Sequence, residues 1–197
     1  MIVYPDYKTA TNEAYRVITE RDCFSIETNV FGIAENMKNC RVFSYAAASF
    51  FTGKPRETLL SASEYGFSIK KADGNRIIYY NEAMPLYCIR FTLAHEIGHA
   101  VLGHQDEGDS VAEKEANCFA RNLLCPVPIA KALELGCEND YISVFNVGYQ
   151  MASVSLKWRS SDSYYIKGEY RSALEDKLYA YNLGYESMTE FERYVYA

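Results

Sequence analysis

The sequence predicts an α+β fold in which a small sheet precedes a long apolar helix and further helices follow. A hairpin pattern lies over residues 66–81, where two β-rich segments flank the turn dipeptide Asp73-Gly74. A helical pattern follows almost at once, and the apolar spacing beyond Pro126 is again helical. Strands and helices are therefore segregated along the chain, which is typical of an α+β domain.

Four short elements precede the hairpin. The first is a helix over residues 9–21, whose apolar positions recur at helical spacing. A second helix is predicted over 29–38, and residues 40–45 alternate and are rich in β-formers, which indicates a strand. Pro55 is typical of the first position of a helix, so a short helix is predicted there.

The chain after Pro126 is predicted to be helical almost throughout. Helical spacing recurs in four segments, the last broken near Gly184: 129–135, 141–145, 149–159 and 167–197. Residues 141–159 also have the rhythm of a helix-turn-helix unit, which either binds DNA or packs internally. Lys157 and Arg159 are its only basic residues, and the chain carries a net charge of −6. We therefore favour a packing unit and expect no direct contact with nucleic acid.

The length of 197 residues suits one compact domain, or one domain with a helical appendage. We expect a core over residues 1–128 and a helical C-terminal subdomain over 129–197 packed on it. The chain opens without a secretory signal pattern and has no apolar stretch long enough to span a bilayer, which predicts a cytoplasmic protein with no membrane partner. Six scattered cysteines without a CxxC pair favour free thiols.

The most informative motif is HEIGH at residues 95–99. Two histidines four residues apart lie on the same face of a helix, so His95 and His99 can both bind one metal ion. Glu96 is rotated by roughly 100° and can instead contact the attacking water as a general base. The flanking residues are apolar, and burying two imidazoles and a carboxylate without partners is costly, which favours a metal ion.

The third ligand is expected from a second helix, which has Asp109 or Ser110 as its N-cap and stops before Pro126. With Val111 at 0°, Glu115 falls at about 40°, inside the apolar arc, and Glu113 falls at about 200°, on its edge. Glu115 is therefore the predicted third ligand, and Glu113 is the reserve. A buried salt bridge is the alternative role for Glu115.

The remaining histidine, His104, lies about 180° from His95 if the helix continues that far, which argues against a ligand role. Gly103 is the predicted helix end, so the objection is moderate. Tyr79, Tyr80 and Tyr149 all stay open as donors to the tetrahedral oxyanion that peptide hydrolysis forms.

Two segments together resemble the ImmA/IrrE family of metallopeptidases. The first is RFTLAHEIGH at 90–99, and the second is EANCFARNLLCP at 115–126. The resemblance covers roughly residues 10–160 and does not include the tyrosine-rich tail. It implies a zincin-like fold with a small sheet, an HExxH helix and a helical C-terminal part, with Zn²⁺ on His95, His99 and Glu115 and with Glu96 as general base.

The resemblance also implies a biological setting. Such proteins often lie beside a helix-turn-helix repressor in prophages or integrative elements and cleave it, so the expected partner is a protein substrate of that kind. The alternative is a non-proteolytic, zinc-containing regulatory module that binds a repressor without cutting it. A purely structural zinc site usually has four protein ligands and needs no Glu96, which favours the peptidase.

Overall fold

A three-stranded sheet forms one side of the protein in the computed structural model, which describes residues 4–105 and 109–195. Its strands are β1 (Cys40–Ser44), β2 (Gly66–Lys70) and β3 (Arg76–Tyr80), in the order β1-β3-β2. Strands β2 and β3 pair antiparallel as the predicted hairpin, whereas β1 pairs parallel to β3. Gly74 has a φ of +84°, a left-handed conformation that glycine adopts readily at the hairpin turn.

Four helices lie before and after the first strand along the chain: α1 (Tyr7–Thr19), α2 (Val30–Asn36), α3 (Tyr45–Thr52) and α4 (Arg56–Ala62). Polar side chains cap three of them, because Asp6, Asn29 and Ser44 each accept a backbone N–H of the first turn. The predicted strand over 40–45 ends one residue early, and helix α3 was not predicted. The Ser44 cap starts that helix directly where β1 ends.

Two long helices form the centre of the protein, and both were predicted. Helix α5 (Leu86–Val101) carries the HEIGH motif, and helix α6 (Ser110–Leu124) starts at the Asp109 cap. Helix α6 packs against α5 on one side and against α1 on another. The chain leaves α5 through Gly103, whose φ of +73° gives the predicted helix end.

The C-terminal part is helical, as predicted, with a break around Gly184. Its helices are α7 (Val127–Ala132), α8 (Glu138–Phe145), α9 (Tyr149–Tyr165), α10 (Gly168–Asn182) and α11 (Met188–Val195). Helices α8 and α9 pack together and bury Tyr141, Phe145 and Ala152. Gly184 has a φ of +92°, which turns the chain after α10.

One hydrophobic core runs through both parts of the chain. Buried side chains of α1, α5 and α6 are continuous with those of α7 to α10, including Leu174 and Leu178. The division into a core over 1–128 and a subdomain over 129–197 stays a prediction. Among the described helices, none combines the length and apolar character required to cross a bilayer.

Candidate metal centre

The close packing of α5 on α6 positions the histidine pair. Gly98 faces Phe119, and a β-carbon on that glycine would lie only 3.0 Å from the Phe119 ring. Glycine therefore lets the two helices approach closely. His95 and His99, on either side of Gly98 along the helix, are brought to the first turns of α6. His99 is buried and His95 is largely buried, with 15% of its side chain exposed.

Three possible metal ligands converge between the helices. The Nε2 atoms of His95 and His99 are 3.0 Å apart. The Glu113 carboxylate lies across both, with Oε2 3.3 Å from His95 Nε2 and Oε1 3.3 Å from His99 Nε2. One ligand atom from each residue lies within 4.8 Å of the others, so one cation can contact all three. Two imidazoles and a carboxylate form a donor set that divalent metals bind.

Both imidazoles are kept in the neutral form that binds metals. Burial, together with the electrostatic influence of His95, His104 and Arg76, lowers the pKa of His99 to about 3. Burial also lowers the pKa of His95, although the Glu113 carboxylate opposes that shift. A neutral imidazole has one nitrogen lone pair available for a metal ion.

The carboxylate predicted as the third ligand lies elsewhere. Glu115 Oε2 is 3.0 Å from His104 Nε2, and Glu115 Oε1 accepts the backbone N–H of Asp6 at 2.6 Å. Glu113, the reserve, is the residue that meets His95 and His99. The two glutamates separate because helix α6 packs against two helices. Its buried face contacts α1 as well as α5, and Glu115 lies on the side that contacts α1. Glu115 is also the more buried, with 17% of its side chain exposed against 41% for Glu113.

His104 lies beside His99 and not on the far side of the helix. Its Nδ1 is 2.9 Å from His99 Nδ1. The predicted angle of about 180° assumed a continuing helix. Helix α5 ends at Val101, and the left-handed Gly103 turns the chain back. His104 N then donates to the His99 carbonyl at 3.1 Å, which holds the side chain against its neighbour.

Asn117 contacts the other imidazole. Its Oδ1 lies 3.1 Å from His95 Nδ1. An amide oxygen accepts hydrogen bonds, so His95 Nδ1 carries the proton and Nε2 keeps its lone pair on the side of Glu113. Asn117 was not among the predicted site residues. Its position could have indicated it, because Asn117 lies four residues after Glu113 on α6 and therefore on the same face of the helix.

The predicted general base, Glu96, contacts the sheet. The Ser68 hydroxyl on β2 donates to Glu96 Oε2 at 2.6 Å, and Arg76 Nη1 on β3 donates to Ser68 Oγ at 2.6 Å. All three side chains are buried. Sequence reasoning missed Ser68 and Arg76, although Ser68 is the polar inward position between outward-facing Phe67 and Ile69. A buried carboxylate held by hydrogen bonds beside two imidazoles can act as a base.

The tyrosines that were left open as oxyanion donors lie in three different places. Tyr79 pairs with Phe67 on the sheet face opposite Ser68, and its ring packs on Phe67 at a centroid distance of 5.3 Å. Strand alternation therefore directs Tyr79 away from α5. Tyr80 packs edge-on against Phe31, and Tyr149 is exposed at the start of α9.

Comparison of the chain with known protein families finds one matching family. A family profile described as Peptidase_M78, the IrrE N-terminal-like domain, matches residues 56–157, just over half of the chain. A search of curated proteins finds no match. The matched range runs from α4 into α9 and includes β2, β3 and the two helices that carry the site. The chain therefore belongs to the M78 peptidase family, the ImmA/IrrE metallopeptidases that its two helix motifs resemble.

Proposed function

We propose that this metallopeptidase is a zinc endopeptidase in which His95, His99 and Glu113 hold the metal ion and Glu96 is the general base. The observation that carries the proposal is the convergence of two Nε2 atoms on one carboxylate, with His–Glu distances of 3.3 Å. Three nitrogen and oxygen ligands of this kind are typical of catalytic zinc sites, which leave a position open for the reaction. The proposal replaces Glu115 of the sequence prediction with Glu113.

The chemistry is divided between the metal ion and the chain. When bound, zinc supplies Lewis-acid chemistry that polarises the scissile carbonyl and acidifies the attacking water. Glu96 accepts a proton from that water and delivers it to the leaving nitrogen as the peptide C–N bond breaks. Ser68 holds the Glu96 carboxylate through its hydroxyl, and Arg76 orients that hydroxyl.

We infer that an extended segment of the substrate pairs with β2. This strand forms one edge of the sheet, because the order is β1-β3-β2. It also carries Ser68, the residue that contacts the general base. Adding a strand at this edge supplies main-chain hydrogen bonds without requiring a specific side chain and brings a peptide alongside the reacting groups. A flexible or extended region of a protein is the substrate form that this edge accepts.

The proposed substrate is a helix-turn-helix transcriptional repressor, cleaved at a specific position. Family resemblance supports this choice, since proteins with these two helix motifs often act on such repressors. The acidic chain, with its net charge of −6, fits a protein substrate better than a nucleic acid. Purified chain loaded with zinc is incubated with the repressor encoded beside its gene, and the products are identified by mass spectrometry.

The Glu96→Gln substitution tests the mechanism. We expect cleavage to fall by about 100- to 10,000-fold, because the amide cannot accept the proton, while zinc content stays at the wild-type level. The exposed Glu57 on α4 supplies the matched control, and Glu57→Gln should cleave normally. A Glu96→Gln protein that holds zinc and cleaves at the wild-type rate would show that the mechanism is wrong. A wild-type chain that binds the repressor without cutting it would support the regulatory module instead.

A further inference from the structure

We propose that Glu115 and His104 form a positioning pair that sets the tautomer of His99 for metal binding. The inference rests on the zinc site proposed above. Neither residue belongs to the proposed ligand set. His104 contacts Nδ1 of the His99 ring, whereas Glu113 faces Nε2 of the same ring. Glu115 in turn contacts His104.

The hydrogen-bond directions follow from the chemistry of each atom. The Glu115 carboxylate only accepts hydrogen bonds, so His104 Nε2, at 3.0 Å, is the donor. In the His104 tautomer with its proton on Nε2, the lone pair is on Nδ1, and this atom accepts from His99 Nδ1 at 2.9 Å. With its proton on Nδ1, His99 has its lone pair on Nε2, the atom that lies 3.3 Å from Glu113. The pair therefore selects the tautomer of His99 that can bind the metal ion.

Backbone contacts hold both members of the pair in place. The N–H of Asp6, at the start of α1, donates to Glu115 Oε1 at 2.6 Å. The His104 N–H donates to the His99 carbonyl at 3.1 Å, and the His104 carbonyl accepts Arg76 Nη2 at 3.1 Å. Orientation by fixed partners reduces the reorganisation that metal binding requires. The arrangement thus links the first residues of α1 to the metal centre.

The Glu115–His104 pair behind His99 is more shielded from water than Asn117, which contacts His95. The exposed side chain fractions are 10% for His104 and 17% for Glu115. His95 relies on Asn117, a neutral amide on an exposed residue. Charge-assisted hydrogen bonds are stronger than neutral ones, and water cannot easily replace a buried partner. We therefore expect the Glu115–His104 pair to contribute more to metal affinity than Asn117 does.

Zinc affinity of the full-length chain, measured by competition with a chromogenic chelator, tests the proposal. We expect Glu115→Gln and His104→Phe each to weaken zinc binding by about 10- to 100-fold. Because Glu115 acts through His104, the double variant should bind no more weakly than His104→Phe alone. Circular dichroism and thermal unfolding of the metal-free proteins check that each variant folds. Glu57→Gln is the matched control and should keep the wild-type affinity.

Three results would overturn the proposal. Wild-type affinity in both folded single variants would show that the pair does not act on His99. Loss of zinc in Glu115→Gln as complete as in Glu113→Gln would make Glu115 a direct ligand. Additive losses in the double variant would indicate two independent structural roles. If the wild-type chain takes up no zinc, the proposed function fails and the inference with it; a Glu113-dependent site that both variants leave intact overturns only the inference.

Discussion

Helix α5 presents two functional sides, and they are built differently. On the α6 side, His95 and His99 face Glu113, and each imidazole has a hydrogen-bond partner behind it. On the sheet side, Glu96 accepts a hydrogen bond from a serine hydroxyl that strand β2 supplies. The first side joins residues of two packed helices, whereas the second joins a helix to the edge of a sheet.

In the proposed mechanism, this difference separates metal binding from peptide chemistry. Contacts between packed helices fix the arrangement of the proposed ligands, which favours affinity. The base instead contacts the strand at which a substrate segment is proposed to pair, so substrate binding and proton transfer share an element. Arg76 connects the two sides, because it donates to Ser68 and to the His104 carbonyl. Substitutions on the α6 side should consequently change zinc affinity, and substitutions on the sheet side should change kcat.

Glu113→Gln should give the largest effect, on the α6 side. Removing the only carboxylate that lies against both imidazoles among the described residues should weaken zinc binding by more than about 100-fold and abolish cleavage. Chelator competition and metal analysis of the purified protein measure it. Glu115→Gln, two residues along the same helix, is the comparison and should retain zinc at saturating concentration. Full zinc uptake by Glu113→Gln would break the proposed division between the two carboxylates.

Ser68→Ala should give an intermediate effect confined to the sheet side. The Glu96 carboxylate loses the hydroxyl that donates to it at 2.6 Å, so we expect kcat to fall by about 10-fold. Zinc affinity should not change, because the hydroxyl of Ser68 bonds to Glu96 and Arg76 on the sheet side. Steady-state kinetics and chelator competition on the same preparation measure both quantities. Weaker zinc binding with normal kcat would contradict the separation of the two sides.

Asn117→Ala should give the smallest effect, again on the α6 side. His95 loses its amide acceptor, but residue 117 is exposed and water can take its place. Zinc affinity is expected to fall by about 3- to 10-fold, with kcat of the zinc-saturated protein unchanged. Asn117→Asp keeps an acceptor oxygen and should restore the affinity. A loss in Asn117→Ala as large as that in His104→Phe would contradict the ranking of the two imidazole partners.

Local sequence patterns predicted most of the elements because their causes are local. The Asp73-Gly74 turn, the Asp109 cap and the helix end at Gly103 depend on neighbouring backbone groups. The turn and the helix end lie where they were predicted, and Asp109 is one of the two predicted caps. Helix α3 was missed because its first residue, Tyr45, extends the β-rich alternation of 40–44. The Ser44 cap, which decides the boundary, is also compatible with a strand end.

The choice between Glu113 and Glu115 as the proposed third ligand required information that helical angles do not contain. A helical wheel shows that α6 has a wide buried arc but not which neighbour covers which part of it. In the structure α1 and α5 share that arc, so Glu115 meets Asp6 and His104 while Glu113 meets the two histidines. For His104, the helical angle was extended three residues beyond Val101, where the helix ends.

Sequence patterns were enough to predict the α+β class and the helix that carries HEIGH, because turn residues, caps and side-chain periodicity act over a few residues. The family was indicated by the two helix motifs and is shown by the profile match. Tertiary packing, by contrast, brings Glu113 to the histidine pair, brings Glu115 and His104 together behind His99, and brings Ser68 of β2 to Glu96. Each of these depends on which elements pack together, because residues distant in sequence become neighbours only through packing.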